Sequence, residues 1–175
     1  MTLARRTHLV AVALCASLTG LAGASPAVAE TGVEALDVRQ VSDRLIQRTG
    51  RPSLVVLYAT SCPLSRQVFP SLVSLTAEYR ERGVDVFAFS VDKESTADRI
   101  PAFLASHGAQ FAAVRVRPWQ SGALTSAMRP VGIQIGRTFT APLMAVRDRY
   151  NRVVVQQQAV TDLAQVREAL SELTR

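Results

Sequence analysis

The sequence predicts an α/β fold, a mixed central sheet flanked by helices, on three observations. A continuous apolar run at residues 53–59 and a second buried-strand pattern at 84–91 are separated by one long helical stretch, which calls for parallel pairing through a crossover. Further on, apolar residues 143–146 and 153–155 flank Asp148-Arg149-Tyr150-Asn151, a turn signal that adds an antiparallel hairpin. Finally, Leu163, Val166, Leu170 and Leu173 form one apolar stripe on a closing helix.

The elements follow in order. Arg5 and Arg6 precede a mostly apolar stretch at 9–22 and then Ala27-Val28-Ala29, the three-part plan of an export signal cut after Ala29. A retained membrane anchor is the alternative, but Ser17, Thr19, Gly20 and Gly23 interrupt a stretch already short for a span. The arginine pair leaves general secretory and twin-arginine export both open. Residues 30–52 form an N-terminal helical segment, with Val38, Val41 and Leu45 at helical spacing, ended before Gly50-Arg51-Pro52. The domain proper spans 53–175. Its first strand (53–59) reads as buried on both faces, and a helix from Pro63 to Arg82 is stopped by Gly83. After the second strand comes a helix at 96–106, where Pro101 marks a shifted start and Gly108 the stop. A short strand at 111–116 and a helix at 119–130 through Leu124 and Met128 precede the hairpin. Thr161-Asp162-Leu163 opens the last helix. The order over the domain is β-α-β-α-β-α-β-β-α.

Composition narrows the function. The chain has 175 residues, 20 basic against 14 acidic, 48% apolar and 19% charged, which excludes a disordered polyelectrolyte. Its arginines are scattered, Lys93 is the only lysine, and no basic run is interleaved with aromatics, so nucleic acid is not an expected partner. With 2 cysteines, a disulfide-dense scaffold and a four-thiolate zinc site are both excluded. His107 is read as a helix C-cap, Met128 and Met144 as core, and Trp119 as packing or binding. No metal and no cofactor are expected. Gly-rich phosphate loops and a Gly-x-Ser-x-Gly elbow are absent from the sequence. If the signal is removed, Cys15 leaves with it, and Cys62 becomes the one thiol in an oxidising setting.

Cys62 carries the candidate chemistry. It follows the first strand, with Pro63 at the first helical position, where a missing N–H costs no helix bond. A thiol there faces free amide protons and the positive end of the helix dipole, and both favour thiolate over thiol. Ser65 can turn its hydroxyl toward the sulfur, and Arg66 adds a positive charge. Against this stands a half-buried cysteine acting as a small hydrophobe.

The run from Val55 through Ala59-Thr60-Ser61-Cys62-Pro63-Leu64-Ser65-Arg66, with Pro70 in the same helix, resembles the thioredoxin superfamily. It is most similar to exported TlpA/ResA-type thioredoxin-like proteins, with Cys-Pro-Leu-Ser in place of Cys-x-x-Cys. Thr138-Phe139-Thr140-Ala141-Pro142, leading into the hairpin, resembles the family's cis-proline segment. The likeness covers about residues 53–173. It implies a thioredoxin-like three-layer sandwich. It also implies that Cys62 is the attacking cysteine, that Pro142 is the cis-proline facing it, and that Ala141 offers backbone to an extended substrate. Ser65 stands where the family has its resolving cysteine. Ser61 replaces an aromatic, and Val56 occupies the place of a buried polar or acidic group.

Without a second thiol the first half of exchange is possible and the second waits on an outside thiol. The expected activity is monothiol thiol–disulfide exchange in the periplasm or after secretion. The expected partners are a disulfide-containing protein or small thiol, an external thiol reductant, and a second copy linked through Cys62. The alternative is a redox-inactive binding or assembly module that uses the surface near Pro142.

Overall fold

The computed structural model describes residues 32–48, 50–117, 121–136 and 138–175. The export signal expected at 1–29 and Trp119 lie outside them. The described chain runs β1 (Glu34–Asp37), α1 (Val38–Ile46), β2 (Ser53–Tyr58), α2 (Pro63–Glu81), β3 (Asp85–Ser90), α3 (Arg99–Ser106), β4 (Val114–Arg117), α4 (Ser121–Met128), β5 (Leu143–Arg147), β6 (Val153–Gln158) and α5 (Ala164–Leu173). Single 3₁₀ turns at Glu94–Thr96 and Arg129–Val131 precede α3 and follow α4.

The strands form one mixed sheet in the order β1-β4-β3-β2-β5-β6. Pairing is parallel from β1 to β2 across the sheet, then antiparallel at β2–β5 and β5–β6. The two predicted signals, apolar runs with crossovers and a closing hairpin, thus meet at β2. Val55 pairs with Phe87 on one side and Ala145 on the other. All six β2 residues are buried, because helices cover both faces. On one face Leu54, Val56 and Tyr58 pack with Phe69 and Leu72 of α2, Ile100 of α3 and Val166 of α5. On the other, Val55 and Leu57 pack with Val41 and Leu45 of α1 and with Leu124 and Met128 of α4. Each such side chain contributes about 1.5–3 kcal/mol on burial. The result is the three-layer sandwich expected from the sequence.

Three departures from the sequence-based boundaries have a physical reason. Of the N-terminal helical segment expected at 30–52, the helix occupies Val38–Ile46, and Glu34–Asp37 form the edge strand β1, paired with β4. Asp37 is the N-cap of α1: its side chain accepts from Gln40 N at 2.8 Å, and the Gln40 side chain accepts from Asp37 N at 2.8 Å. The helix expected from residue 96 starts at Arg99, with Pro101 in its first turn, where proline is tolerated. The strand expected at 111–116 is shifted to Val114–Arg117, and Phe111 instead stands edge-on to Phe69, with ring centroids 6.0 Å apart. His107 caps α3 as read, its ring beside Phe69 and Phe103. Met128 and Met144 are fully buried.

Two features set the stage for the site. A turn at residues 59–62 joins the C-terminal end of β2 to α2, so α2 starts where β2 and its parallel neighbour β3 both finish. At the far end of α2, Gly83 takes φ +87°, a left-handed conformation that glycine adopts without a Cβ clash, and the chain turns back into β3.

Candidate active site

Cys62 is the N-cap of α2, half-buried, with extended backbone (φ −80°, ψ 124°) and Pro63 directly behind it. Its N–H donates to Ala59 O at 3.1 Å, and its carbonyl accepts from Arg66 N at 3.0 Å. The Leu64 and Ser65 amides, in the first turn of α2, have no intrahelical acceptor, as at every helix start. The sulfur reaches across to the loop before β5, where the Sγ–H donates to Ala141 O at 3.1 Å. The Ala141–Pro142 peptide is cis. Cys62, Ala141 and Pro142 therefore come together from positions almost eighty residues apart in the chain.

Ser65 lies beneath them, fully buried. Its Oγ accepts from Ala59 N at 3.3 Å, so its hydroxyl oxygen is engaged with the end of β2, not with the Cys62 sulfur as the sequence led one to expect. The reason is geometric: the strand-to-helix turn leaves the Ala59 amide inside, and Ser65 is the side chain that satisfies it. Arg66 also folds back, its Nε donating to Thr60 O at 2.8 Å. Val56 is buried in the apolar layer.

Sequence reasoning missed the other wall. Asp92, just past β3 and 2% exposed, accepts from Thr60 N and Thr60 Oγ1, both at 2.9 Å, and from Ser90 Oγ at 2.6 Å. The Ser90 oxygen in turn accepts from Asp92 N at 3.0 Å. The available signal was a Ser-x-Asp at the C-terminal end of a strand parallel to β2, the end of an α/β sheet where sites gather. Burial, and secondarily the Asp92 charge, push the Tyr58 hydroxyl well above the usual tyrosine range. That hydroxyl has no hydrogen-bond partner among the described residues.

Cys62 opens onto a groove of about 600 Å³ whose walls include Ser61, Asp92, Lys93, Thr96, Phe139 and Ala141. The turn carrying Lys93 and Thr96 is tied down through Glu94, which pairs with the buried Arg115 of β4. One wall is thus polar and partly charged; the other carries the Ala141 backbone and the half-buried aromatic Phe139. Among the described residues no group of three or more His, Cys, Asp or Glu comes together to hold a metal ion. A thiol at a helix start facing an open groove can attack an electrophile seated there, and a disulfide sulfur is the electrophile that thiolates exchange with reversibly.

The sheet, helices and cis-proline loop define a thioredoxin-like α/β fold. No family model matches the chain, and no curated protein matches it. Solved structures do. A protein described as the thiol:disulfide interchange protein DsbE from Chlorobium tepidum is 27% identical over 74% of this chain and 81% of that one, with a TM-score of 0.51. A thioredoxin-family thiol:disulfide interchange protein from Chlorobium tepidum TLS is 17% identical, covering 74% and 84% with a TM-score of 0.55. A secreted Mycobacterium tuberculosis disulfide oxidoreductase homologous to E. coli DsbE is 12% identical, covering 73% and 86% with a TM-score of 0.54. The last two speak to the fold.

Proposed function

We propose that this chain is an exported, TlpA/ResA-like protein that performs monothiol thiol–disulfide exchange through Cys62. The observation that carries the reading is the placement of the Cys62 sulfur at the start of α2, against Ala141 O and open to the groove. The likeness to a structure described as a thiol:disulfide interchange protein supports it. In the first step the Cys62 thiol gives its proton to solvent and leaves Ala141 O, since a thiolate has nothing to donate. The thiolate attacks one sulfur of R–S–S–R′, forming Cys62–S–S–R and expelling R′–S⁻. In the second, an external thiolate R″–S⁻ attacks the R sulfur, releasing R–S–S–R″ and restoring Cys62. No net electrons stay on the protein. Ser65, whose hydroxyl is far too weakly acidic to attack sulfur, leaves the second step to the outside thiol.

Glutathione disulfide tests this directly. Intact mass should show one glutathione on Cys62, removed by added thiol, and none on Cys62→Ala. An unmodified wild-type thiol after prolonged incubation would refute exchange. A second reading, a docking module with an incidental thiol, is favoured by the hydrogen bond that engages the Sγ–H with Ala141. In that case Cys62→Ala retains partner binding.

A further inference from the structure

Besides its internal bond from Cys62 N to Ala59 O, the turn at 59–62 is held by two kinds of anchor. Ser65 Oγ on Ala59 N and Arg66 Nε on Thr60 O are both carried by α2, so they tie the turn to the helix that follows it. The Asp92 carboxylate is carried by the chain leaving β3. Through Thr60 N and Thr60 Oγ1 it ties the turn, and with it the N-terminus of α2, to the sheet. Asp92 is itself fixed: Ser90 Oγ donates to one carboxylate oxygen while accepting from the Asp92 amide. A carboxylate offers about four acceptor sites, of which three are used here.

The other restraint on the sulfur is the hydrogen bond to Ala141 O, and it exists only while the thiol keeps its proton. At the moment of attack that bond is gone. The direction in which Cys62 points into the groove then depends on the lock between Thr60 and β3. Asp92 also lines this groove, together with the Lys93 turn opposite Ala141, so the same residue registers the turn against the wall where a disulfide would sit.

We propose that Asp92 is a positioning residue for Cys62: by gripping Thr60 it fixes the turn that aims the sulfur at a disulfide lodged in the groove. This rests on exchange at Cys62. The role is geometric, so an isosteric amide fills it: the asparagine oxygen accepts from Thr60 N and Ser90 Oγ, and its amino group donates to a reoriented Thr60 Oγ1.

The experiment follows formation of the Cys62–glutathione mixed disulfide from glutathione disulfide, in the alkaline range where the rate no longer rises with pH. Asp92→Ala should be slower by about ten- to a hundredfold, the scale of loss when a reacting atom is misplaced by about an ångström. Thr60→Ala, which removes one of the bonds, should fall by less, and Asp92→Asn should recover to within about threefold of wild type. The plateau rate with iodoacetamide, which needs no docking, should change little in any of them. An Asp92→Ala rate equal to wild type would overturn the proposal. So would an Asp92→Asn rate as low as the alanine variant, since charge and not position would then be at work. Should Asp92→Ala fail to fold, Thr60→Ala decides, and an unaltered rate there would overturn the lock. Wild-type protein inert toward glutathione disulfide would overturn the exchange reading itself, before any variant is compared.

Discussion

Replacing Tyr58 by phenylalanine should stabilise the protein. The ring is fully buried at the end of β2, with centroids 5.2 Å from Phe69 and 6.0 Å from Phe103, and phenylalanine keeps all of that packing. What it removes is a hydroxyl with no hydrogen-bond partner among the described residues. Leaving such a group buried costs about 1–3 kcal/mol. We expect Tyr58→Phe to be more stable by about 1 kcal/mol at neutral pH, a rise of about 2–4 °C in Tm for a domain of this size. The alkaline limb sharpens the test. Burial and the neighbouring Asp92 charge raise the folded-state pKa of Tyr58 above its unfolded value. The folded chain therefore keeps a proton that the unfolded chain releases above about pH 10. This contribution to wild-type stability is whole below that pH and falls above it, by about 1.4 kcal/mol per pH unit. Phenylalanine carries no such slope, so the gap between the two proteins should widen between about pH 10 and 11. Urea unfolding at neutral pH and across that range measures both effects. A variant less stable than wild type by about 1 kcal/mol at neutral pH would refute the reasoning, because it would mean that the hydroxyl is bonded.

Two further outcomes follow from other parts of the structure. Ser65→Cys should convert the glutathione adduct on Cys62 into an internal disulfide, seen by intact mass as loss of the adduct, at a cost of about 0.5–1.5 kcal/mol for the Ala59 amide that Ser65 now satisfies; a lasting adduct would contradict it. In the hairpin, burial alone would raise the Asp148 carboxyl, but the Arg152 amide and guanidinium and the Tyr150 amide outweigh it and hold the carboxyl below its usual value. The stability it contributes is present above the ordinary carboxylate range and lost as pH falls through the lowered value. Thermal melts of Asp148→Asn should accordingly lie below wild type at neutral pH and converge with it in strong acid.

What could be read from the chain alone depended on how locally each signal is written. β2 is legible because six consecutive buried residues leave no polar alternation, and α2 because Pro63 and Gly83 mark its two ends. β1 was not: a four-residue edge strand with one buried side chain, Leu36, has no period to detect. Its Asp37 looks like any charge on a helix until the cap geometry is seen. Cys62 and the Ala141-Pro142 pair stood out because each sits in a linear motif. Asp92 did not, since its meaning lies in Thr60, 32 residues earlier, brought beside it only when β2 and β3 pair. Ser65 was placed correctly on the helix, but its hydrogen bond was assigned to the wrong neighbour, because the strand-end amide that claims it is invisible in one dimension.

The sheet has a seam. β1 and β4 pair along their whole length, yet β4 joins β3 through the one register pair Ser90–Arg115. These outer two strands form a leaf hinged to the sheet by few backbone bonds and held by packing, with Leu36, Val114 and Val116 in one apolar cluster with Phe89. Arg115 stands at that hinge and also grips Glu94 beside the groove. The same arginine thus links the edge of the sheet to the turn that walls the mouth over the sulfur.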